Sequence, residues 1–513
     1  MAEGNDKLRR QIKSAFLLRA LSLKRDALDY AVKLLSEFEP AQQSIWIEKI
    51  LAAISKQNVE SPLLDQKAFE VAVTLCSNKK SETNASIFNV IDVFSAPRIK
   101  YDSNSGKIIA TPAEGTPIGK QFKMSEMFRN RLSLVLQRAQ RSTAFENFHL
   151  ATVESLLGSV KKVYDVILLG MLSQRDAETY QIEDLTGAIP ADLSEADFHS
   201  GLFTDGSIML LEGDYCEGVL QVSGVGLAPI ETAIDTRAHF GNENWFGGES
   251  SVAYRAVPRL QRANVSRPNA RIIFVSDVWL DDPKVMKGIY SMLVGFADIP
   301  PVAFIFCGNF CSPGEPFDIF KKSKDGFRHL SKIISELCKE YEELRKSNFV
   351  FVPGLEDLSL STVLPRPPLP YLLFEELKNI PNCSFASNPC RLQYADQEIV
   401  VFRQDIVEKM SRNSIHLSPN TTDVAEQLCK TIASVGHLCP LPLQVTPVYF
   451  EMDHALMLYP LPDVVVLADQ FQQFIISQSG CIFANPSSFA RSQLDFLVYY
   501  PFSKEMECSS VKL

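Results

Sequence analysis

Several patterns that would point to a function are missing from this 513-residue sequence. It has no apolar run of about 18 residues, which a membrane-spanning helix needs, and residues 1–25 are too charged for a signal peptide. None of the 11 cysteines stands in a Cys-x-x-Cys pair, which disfavours a zinc knuckle. No Gly-x-x-x-x-Gly-Lys-Ser/Thr segment is present, so no phosphate-binding loop is predicted. These absences favour an intracellular protein with reduced thiols and no bound nucleotide.

An excess of basic charge is also missing. The chain carries 51 lysines and arginines against 61 aspartates and glutamates, a formal net charge of −10. A protein that coats nucleic acid needs a basic face to neutralise phosphates, so this balance argues against that class. The chain is also longer than one hydrophobic core usually supports, which predicts about two to four domains.

The sequence does contain three short apolar runs that each end in a polar turn. They are RIIFVSDVWLDD (271–282), PPVAFIFCGNF (300–310) and NFVFVPGLED (348–357). Continuous apolar runs of this length are typical of strands that are buried on both faces, in a sheet covered by helices. In such open sheets, ligands bind just beyond the carboxyl ends of the strands. The sequence therefore predicts that any functional site lies at these three strand ends.

The same strand ends resemble the metal-binding motifs of calcineurin-like phosphoesterases. That family has Asp-x-His, Gly-Asp-x-x-Asp and Gly-Asn-His-Asp/Glu at these places and a later Gly-His-x-His, and these residues hold two divalent metals. This chain keeps the frame and replaces most of the ligands. The positions that correspond to the family's site are Asp277, Trp279, Asn309, Ser312, Glu356, Asp357 and His437.

Too few metal ligands remain at these positions. The indole of Trp279 cannot ligate a metal, Asn309 is neutral where a bridging carboxylate is expected, and Cys439 replaces the last histidine of the motif. A two-metal site needs carboxylates and imidazoles to offset four positive charges. We therefore predict a vestigial site with no catalytic residue, no metal and no cofactor. The alternative is a metal-dependent phosphodiesterase or nuclease with an altered site.

A longer set of motifs narrows the resemblance. The segments FVSDVWLD, FCGNF, FVPGLED, LPRPPLP, SNPCR, GHLCPLPL and YPLPDVVVLAD, in this order, are similar to the non-catalytic second subunits of DNA polymerase epsilon. The resemblance covers nearly the whole chain. It implies a multi-domain α/β protein with an N-terminal helical module similar to the lid of AAA+ ATPases, an OB-fold β-barrel and a C-terminal phosphoesterase-like two-sheet α/β sandwich.

The same resemblance implies a role as a nuclear scaffold in chromosomal DNA replication. The expected partners are the C-terminal region of the catalytic subunit, the small histone-fold subunits of the complex and the replicative helicase assembly. DNA is expected to be touched only weakly or indirectly, and no membrane is expected as a partner.

Apolar periodicity and turn signals predict four regions. Residues 1–75 form a helical module, and residues 76–149 form a linker with a hairpin and an amphipathic helix. Residues 150–235 have short strands and turns typical of the OB-fold, and residues 236–513 form the phosphoesterase-like domain.

The amphipathic helix of the predicted linker spans residues 123–141. It combines an apolar stripe with four arginines that we expect to face solvent: Phe128, Leu132 and Leu136, then Arg129, Arg131, Arg138 and Arg141.

The predicted barrel is acidic. Between residues 150 and 230 there are three basic residues, Lys161, Lys162 and Arg175, against 13 acidic ones. Binding of single-stranded nucleic acid needs a positive groove with aromatic platforms. We therefore predict that the barrel serves structure or protein docking.

Three aromatic residues have two interpretations. Trp245 and Phe246 lie in the Gly-rich segment HFGNENWFGGES (239–250), which is expected to pin the crossover between the barrel and the phosphoesterase-like domain. With Phe310, which follows the second strand, they are also predicted to contact a partner. Exposed apolar patches usually mark partner sites. We expect an apolar surface around these three side chains that the catalytic subunit covers.

Overall fold

A computed structural model of the chain describes residues 2–17, 21–36, scattered positions from 43 to 73, 86–111, 123–145, 148–176, 179–250, 252–314, 316–358, 362–378, 380, 382–416 and 423–513. The chain divides into two compact units. The first comprises residues 1–85 and 249–251, and the second comprises residues 86–248 and 252–513.

The first unit is a small helical module with its own apolar core. Its elements are α1 (Ala2–Leu17), β1 (Ser22–Leu23), α2 (Arg25–Leu35) and β2 (Leu63–Leu64). Both helices bury an apolar stripe, and Ile12 and Leu28 lie in the shared core. The helical class is as predicted. The short parallel pairing of β1 with β2 was not predicted, because two residues are too few to give an alternating pattern.

The second unit contains a closed β-barrel. Its elements are β6 (Leu150–Ala151), α4 (Val153–Leu157), β7 (Val163–Gln174), β8 (Tyr180–Glu183), β9 (Ala188–Asp192), β10 (Asp197–Phe198), β11 (Ile208–Cys216) and β12 (Val219–Gly226). β12 pairs with both β11 and β9, which closes the ring β7-β8-β9-β12-β11. Alternate side chains such as Leu168, Leu211 and Leu220 fill its interior. The predicted OB-fold is confirmed.

The rest of the second unit is a two-sheet sandwich, as predicted. Its strands are β3 (Phe88–Ile91), β13 (Ile272–Val275), β14 (Ala303–Cys307), β15 (Asn348–Val352), β16 (Cys383–Phe385), β17 (Cys390–Tyr394), β18 (Gln397–Val401), β19 (Val464–Val466), β20 (Phe474–Gln478), β21 (Cys481–Asn485), β22 (Asp495–Tyr500) and β23 (Glu505–Ser510). The first sheet has the order β16-β15-β14-β13-β22-β23 and the second has the order β20-β21-β19-β18-β17-β3.

The other elements of the described ranges are a hairpin and the helices that surround the sheets. The hairpin consists of β4 (Arg98–Asp102) and β5 (Lys107–Thr111). The helices are α3 (Lys123–Arg141), α5 (Ala233–Phe240), α6 (Pro258–Val265), α7 (Pro283–Gly295), α8 (Pro316–Glu340), α9 (Tyr371–Phe374), α10 (Val407–Arg412) and α11 (Val424–Val435).

The three apolar runs form adjacent parallel strands in the first sheet. β13, β14 and β15 pair in register, and each is buried on both faces. One set of side chains, including Phe274 and Ile305, packs between the two sheets. The alternate set, including Phe304 and Phe351, packs under α7 and α8. A strand covered on both faces has no polar side, which is why the runs are continuous rather than alternating.

The expected linker at 76–149 is instead built into the second unit wherever the structure describes it. β3 pairs with β17 and completes the second sheet. One side of α3 packs on the barrel through Leu132 and Val135, and another packs on the sandwich through Leu134. The linker prediction failed because α3 is apolar on two sides, whereas its sequence pattern indicated a single apolar stripe. Residues 74–85 and 112–122 lie outside the described residues.

Candidate functional site at the strand ends

The carboxyl ends of β13, β14 and β15 meet at one edge of the first sheet. Their last pairings join Val275 to Phe306 and Cys307 to Val352. Asp277, Asn309 and Asp357 follow these strands within a few residues and are all buried. We call Asp277, Asn309, Asp357, Arg366 and Arg403 the strand-end cluster.

Asp277 is held in a tight turn directly after β13. Its φ is 53°, in the left-handed region that few residues other than Gly, Asn and Asp adopt. Its Oδ1 accepts from the backbone N–H of Asn309 at 3.2 Å and from Nη2 of Arg403 at 2.7 Å. Among the described residues no hydrogen-bond partner is present for its Oδ2.

Arg403 is the cation of the strand-end cluster. Its fully buried guanidinium donates from Nε to the carbonyl of Gly308 at 2.5 Å and from Nη1 to Asp405 at 2.8 Å. Burial alone would lower the pKa of Arg403, but the charges of Asp277 and Asp405 outweigh it and raise the pKa. The side chain therefore carries a permanent positive charge beside Asp277.

Asp357 ties the second and third strand ends together. Its Oδ1 accepts from the N–H of Phe310 and its Oδ2 from the N–H of Gly354, each at 2.7 Å. Burial raises the pKa of Asp357, and these two hydrogen bonds and the nearby arginines oppose the rise. A Cβ on Gly308 would collide with Asp357 Oδ2, so this approach requires glycine.

Asn309 and Arg366 complete the strand-end cluster. Asn309 Oδ1 accepts from the backbone N–H of Glu356 at 2.9 Å, so Glu356 takes part through its main chain. Arg366 donates to the carbonyls of Gly354 and Asp357, and its side chain is almost fully buried. Apart from Asp277 Oδ2, the side-chain oxygens of the strand-end cluster already accept hydrogen bonds, so the arrangement is closed rather than an open reactive centre.

Two predicted site residues lie beside the strand-end cluster and not in it. Ser312 donates from its backbone N–H and its Oγ to Asp281, at 2.8 and 2.5 Å. Trp279 is half-buried, and the guanidinium of Arg491 lies 5.4 Å from its ring centre.

His437 lies in a different buried group, which also contains Arg131 and Asp453. His437 Nε2 is 3.2 Å from Asp453 Oδ1, and its Nδ1 accepts from the N–H of Cys439 at 3.1 Å. Burial and the charge of Arg131 lower the pKa of His437, although Asp453 opposes the change. The imidazole is therefore neutral, with its proton on Nε2. We call Arg131, His437, Asp453 and the adjacent His454 the helix cluster.

Asp453 is the anion of the helix cluster. Its Oδ2 accepts from Arg131 Nε at 3.0 Å, and its Oδ1 accepts from Arg131 Nη2. Burial alone would raise the pKa of Asp453, but Arg131 and His437 together hold it well below its usual range. The bidentate pair fixes α3 against the segment 450–456 of the sandwich.

The expectation that the arginines of α3 face solvent is wrong for two of the four. Arg131 and Arg138 are buried, and Arg138 donates to the carbonyl of Ser434. Arg141 is half-buried and pairs with Glu231 at 2.6 Å, whereas Arg129 is exposed as expected. Because α3 lies between the barrel and the sandwich, its buried arginines pair with residues that come much later in the chain.

The premise for the predicted partner contacts at Trp245, Phe246 and Phe310 is also wrong. Trp245 packs with Leu134 in a small core, and Arg391 lies over the ring of Phe246. Phe310 is only 1% exposed, in the core beneath α8. Their aromatic rings are covered by this chain itself, so they do not form the expected apolar surface.

The two arginines of the strand-end cluster were missed by sequence reasoning, although a signal for one was present. Arg403 stands two residues after β18, in EIVVFR, at the end of a buried strand. The same rule that selected Asp277 would have selected it. Arg366 lies in LPRPPLP, which was interpreted as a rigid loop and gave no hint of burial.

Two searches of the described residues bear on function. No group of three or more His, Cys, Asp or Glu in the described ranges is arranged to hold a metal ion. No helix in the described part of the chain is long and apolar enough to cross a membrane.

Three family models match consecutive parts of the chain. The first is described as DNA polymerases epsilon N terminal and matches residues 4–76. The second describes the OB-fold domain of proteins like DNA polymerase epsilon subunit 2 and matches residues 122–229. The third describes the B subunit of DNA polymerases alpha and epsilon and matches residues 272–476.

Similar proteins are found along the full length. The probable DNA polymerase epsilon subunit 2 of Caenorhabditis elegans is 39% identical over 98% of this chain and 94% of its own length. DNA polymerase epsilon subunit 2 of Homo sapiens is 38% identical over 99% of both chains. An archaeal phosphodiesterase structure matches 47% of this chain and 99% of its own at 13% identity, with a TM-score of 0.25.

These relatives confirm the resemblance to DNA polymerase epsilon second subunits that the longer set of motifs carries. Their names describe a polymerase subunit and do not favour the alternative of a free-standing phosphodiesterase or nuclease. The chain therefore belongs to the family of DNA polymerase epsilon second subunits.

Proposed function

We propose that this chain is a non-catalytic scaffold of DNA polymerase epsilon in chromosomal DNA replication and that its strand-end cluster is a vestigial phosphoesterase site. The observation that carries the proposal is the Arg403 guanidinium, fully buried and 2.7 Å from Asp277 Oδ1. A permanent cation there offsets the carboxylate charge that a metal ion would otherwise offset.

The residues of the strand-end cluster do not fit a two-metal centre. Both oxygens of Asp357 and the side-chain oxygen of Asn309 already accept backbone hydrogen bonds. His437, the only histidine among the predicted site residues, binds Asp453 in the helix cluster. A divalent ion at Asp277 Oδ2 would also face the positive charge of Arg403, at a cost that the low local dielectric increases. The cluster therefore lacks the free ligands that metal-assisted hydrolysis needs.

The partner assignments follow from the family. As a second subunit of DNA polymerase epsilon, the chain would hold the C-terminal region of the catalytic subunit in the nucleus. We further propose that it assembles with the small histone-fold subunits and links the polymerase to the replicative helicase assembly through the module at 1–75. The acidic barrel supports weak or indirect contact with DNA.

Metal analysis and a hydrolysis assay test the vestigial site. Purified protein dialysed against Mn²⁺ or Zn²⁺ should retain less than one metal per chain and should not hydrolyse bis-p-nitrophenyl phosphate. Two bound metals, with hydrolysis lost in Asp277→Ala and kept in the exposed control Asp325→Ala, would contradict the proposal.

Pull-downs test the scaffold role. The full chain and a chain lacking residues 1–75 should both bind the C-terminal region of the catalytic subunit. Only the full chain should retain the helicase assembly. Loss of catalytic-subunit binding on truncation would contradict the assigned division of roles.

A further inference from the structure

The second sheet of the sandwich ends in an uncharged edge strand, β20. No charged residue occurs from Gln470 to Ala490, a stretch that contains β20 and its neighbour β21. One of the two edge strands of the first sheet, β23, differs: it carries Glu505 and Glu507. Charged side chains on an edge strand discourage pairing with another chain, and β20 has none.

The backbone of β20 is available on one side. It pairs with β21, and among the described residues no other backbone group hydrogen-bonds to Phe474–Gln478. Ile475 and Ser477 are exposed on the same face of the strand. An unpaired row of N–H and C=O groups selects an extended peptide as its ligand, because only another strand matches the spacing of those groups.

A groove of about 520 Å³ begins where β20 ends. Gln478 and Ser479 form part of its wall, and most of the remainder is apolar barrel surface that includes Leu210 and Leu227. Lys430 of α11 also lines the groove. Its Nζ donates to Ser200 Oγ, and within the described residues it has no carboxylate partner. Glu212 of β11 also lines the groove, which therefore offers an apolar wall, one cation and one carboxylate at one end of the open strand.

We propose that β20 binds, as an added strand, an extended segment of the catalytic subunit of DNA polymerase epsilon that is uncharged where it pairs with β20. The segment continues into the groove, where an acidic side chain pairs with Lys430. This inference rests on the proposed function and specifies a surface for it. A second copy of this chain is the less suitable occupant, since two chains that each carry a net charge of −10 repel one another.

Two serines on the two edge strands give a matched test. Ser477 on β20 and Ser510 on β23 are both exposed, so lysine at either position leaves the core untouched. We expect Ser477→Lys to weaken binding of the catalytic subunit's C-terminal region by at least about tenfold, because a lysine disfavours strand addition there. Ser510→Lys should bind as the unchanged protein does. Lys430→Glu should weaken binding by about threefold or more, and the loss should shrink at high salt.

Hydrogen–deuterium exchange gives an independent readout. In the two-subunit complex the amides of β20 should exchange more slowly than in the chain alone, and those of β23 should not change. Equal unfolding midpoints of the two serine variants would show that a difference in binding is not a folding defect.

These experiments distinguish the strand-addition proposal from the proposed scaffold role. Unchanged binding of Ser477→Lys with unprotected β20 amides would overturn the strand-addition proposal and leave the scaffold role intact. A dimer of the chain alone that Ser477→Lys dissociates would also overturn it, because a second copy would then be the occupant. No binding of the catalytic subunit by the unchanged chain would instead refute the scaffold role.

Discussion

The strand-end cluster and the helix cluster both bury an arginine against an aspartate, yet they differ in what they join. Arg403 and Asp277 connect the strand ends of the two sheets of one sandwich. Arg131 and Asp453 connect α3 to the sandwich, and the same helix packs on the barrel. The strand-end cluster thus stabilises loops within one domain, whereas the helix cluster fastens two domains together.

The clusters also differ in their titratable groups. The helix cluster contains two histidines with lowered pKa values, and that of His454 falls to about 4 because of burial and the charges of Arg391 and Arg98. Near the strand ends, two buried carboxyl groups have raised pKa values. Burial raises the pKa of Asp357. Burial also raises the pKa of Asp469 to about 6; this residue accepts hydrogen bonds from the backbone just after Arg403. Acid therefore acts on the two regions in opposite directions.

The largest expected effect on stability comes from removing the cation of the strand-end cluster. Arg403→Met leaves Asp277 buried and uncompensated, and we expect the free energy of unfolding to fall by about 3–5 kcal/mol. Urea denaturation followed by circular dichroism measures the change. The double variant Arg403→Met/Asp277→Asn should recover more than half of the lost free energy of unfolding. The control is Arg412→Met, at an exposed ion pair, which should have no measurable effect. A harmless Arg403→Met would mean that the buried Arg403–Asp277 pair does not stabilise the fold.

The helix cluster should give the next largest effect, and one that the strand-end cluster does not produce. Arg131→Met should lower the free energy of unfolding by about 2–4 kcal/mol, because the buried carboxylate of Asp453 loses its cation. It should also loosen barrel from sandwich, so limited proteolysis should cut at the ends of α3 well before the sandwich is degraded. Arg129→Met, on the exposed side of the same helix, is the control. Equal proteolysis of Arg131→Met and Arg403→Met would show that the two clusters do not differ in this way.

The smallest effect is on the pH dependence of stability. His454 has a folded pKa of about 4 against an ordinary 6.5, so the unfolded chain takes up its proton first as the pH falls. Its contribution is complete above pH 6.5 and is lost towards pH 4, by about 2 kcal/mol between pH 7.5 and 5. His454→Phe should remove that loss. Denaturation midpoints at several pH values measure it.

Asp469 is expected to act with the opposite sign over the same range. Its folded pKa of about 6 lies above the ordinary 3.8, so the folded chain takes up the proton first. This stabilises the fold by about 1.4 kcal/mol as the pH falls from 7.5 to 5. Asp469→Asn should therefore steepen the loss of stability in acid, whereas His454→Phe should flatten it. Shifts of the same sign in both variants would contradict the comparison.

The sequence predicted the strand-end region better than the helix region, for a physical reason. Asp277 and Asp357 follow apolar runs directly, so local pattern alone locates them at the sheet edge. The burial of Arg131 depends on Asp453, which lies 322 residues away along the chain. No local pattern distinguishes an arginine that faces solvent from one that faces a distant carboxylate. The buried ring of Trp245 was missed for the same reason, since its contacts come from Leu134 and Tyr459.

The position of α3 also has a consequence for the order in which the chain matures during synthesis. Helix α3 leaves the ribosome before any strand of the barrel. The residues that pair with its polar side chains come about 300 residues later: Ser434, Asp453 and Tyr459. At typical translation rates of roughly 5–20 residues per second, that gap lasts at least about 15 seconds. During this interval the side of α3 that carries Arg131, Leu134 and Arg138 stays exposed to solvent, so the helix completes its packing only after the sandwich has been made.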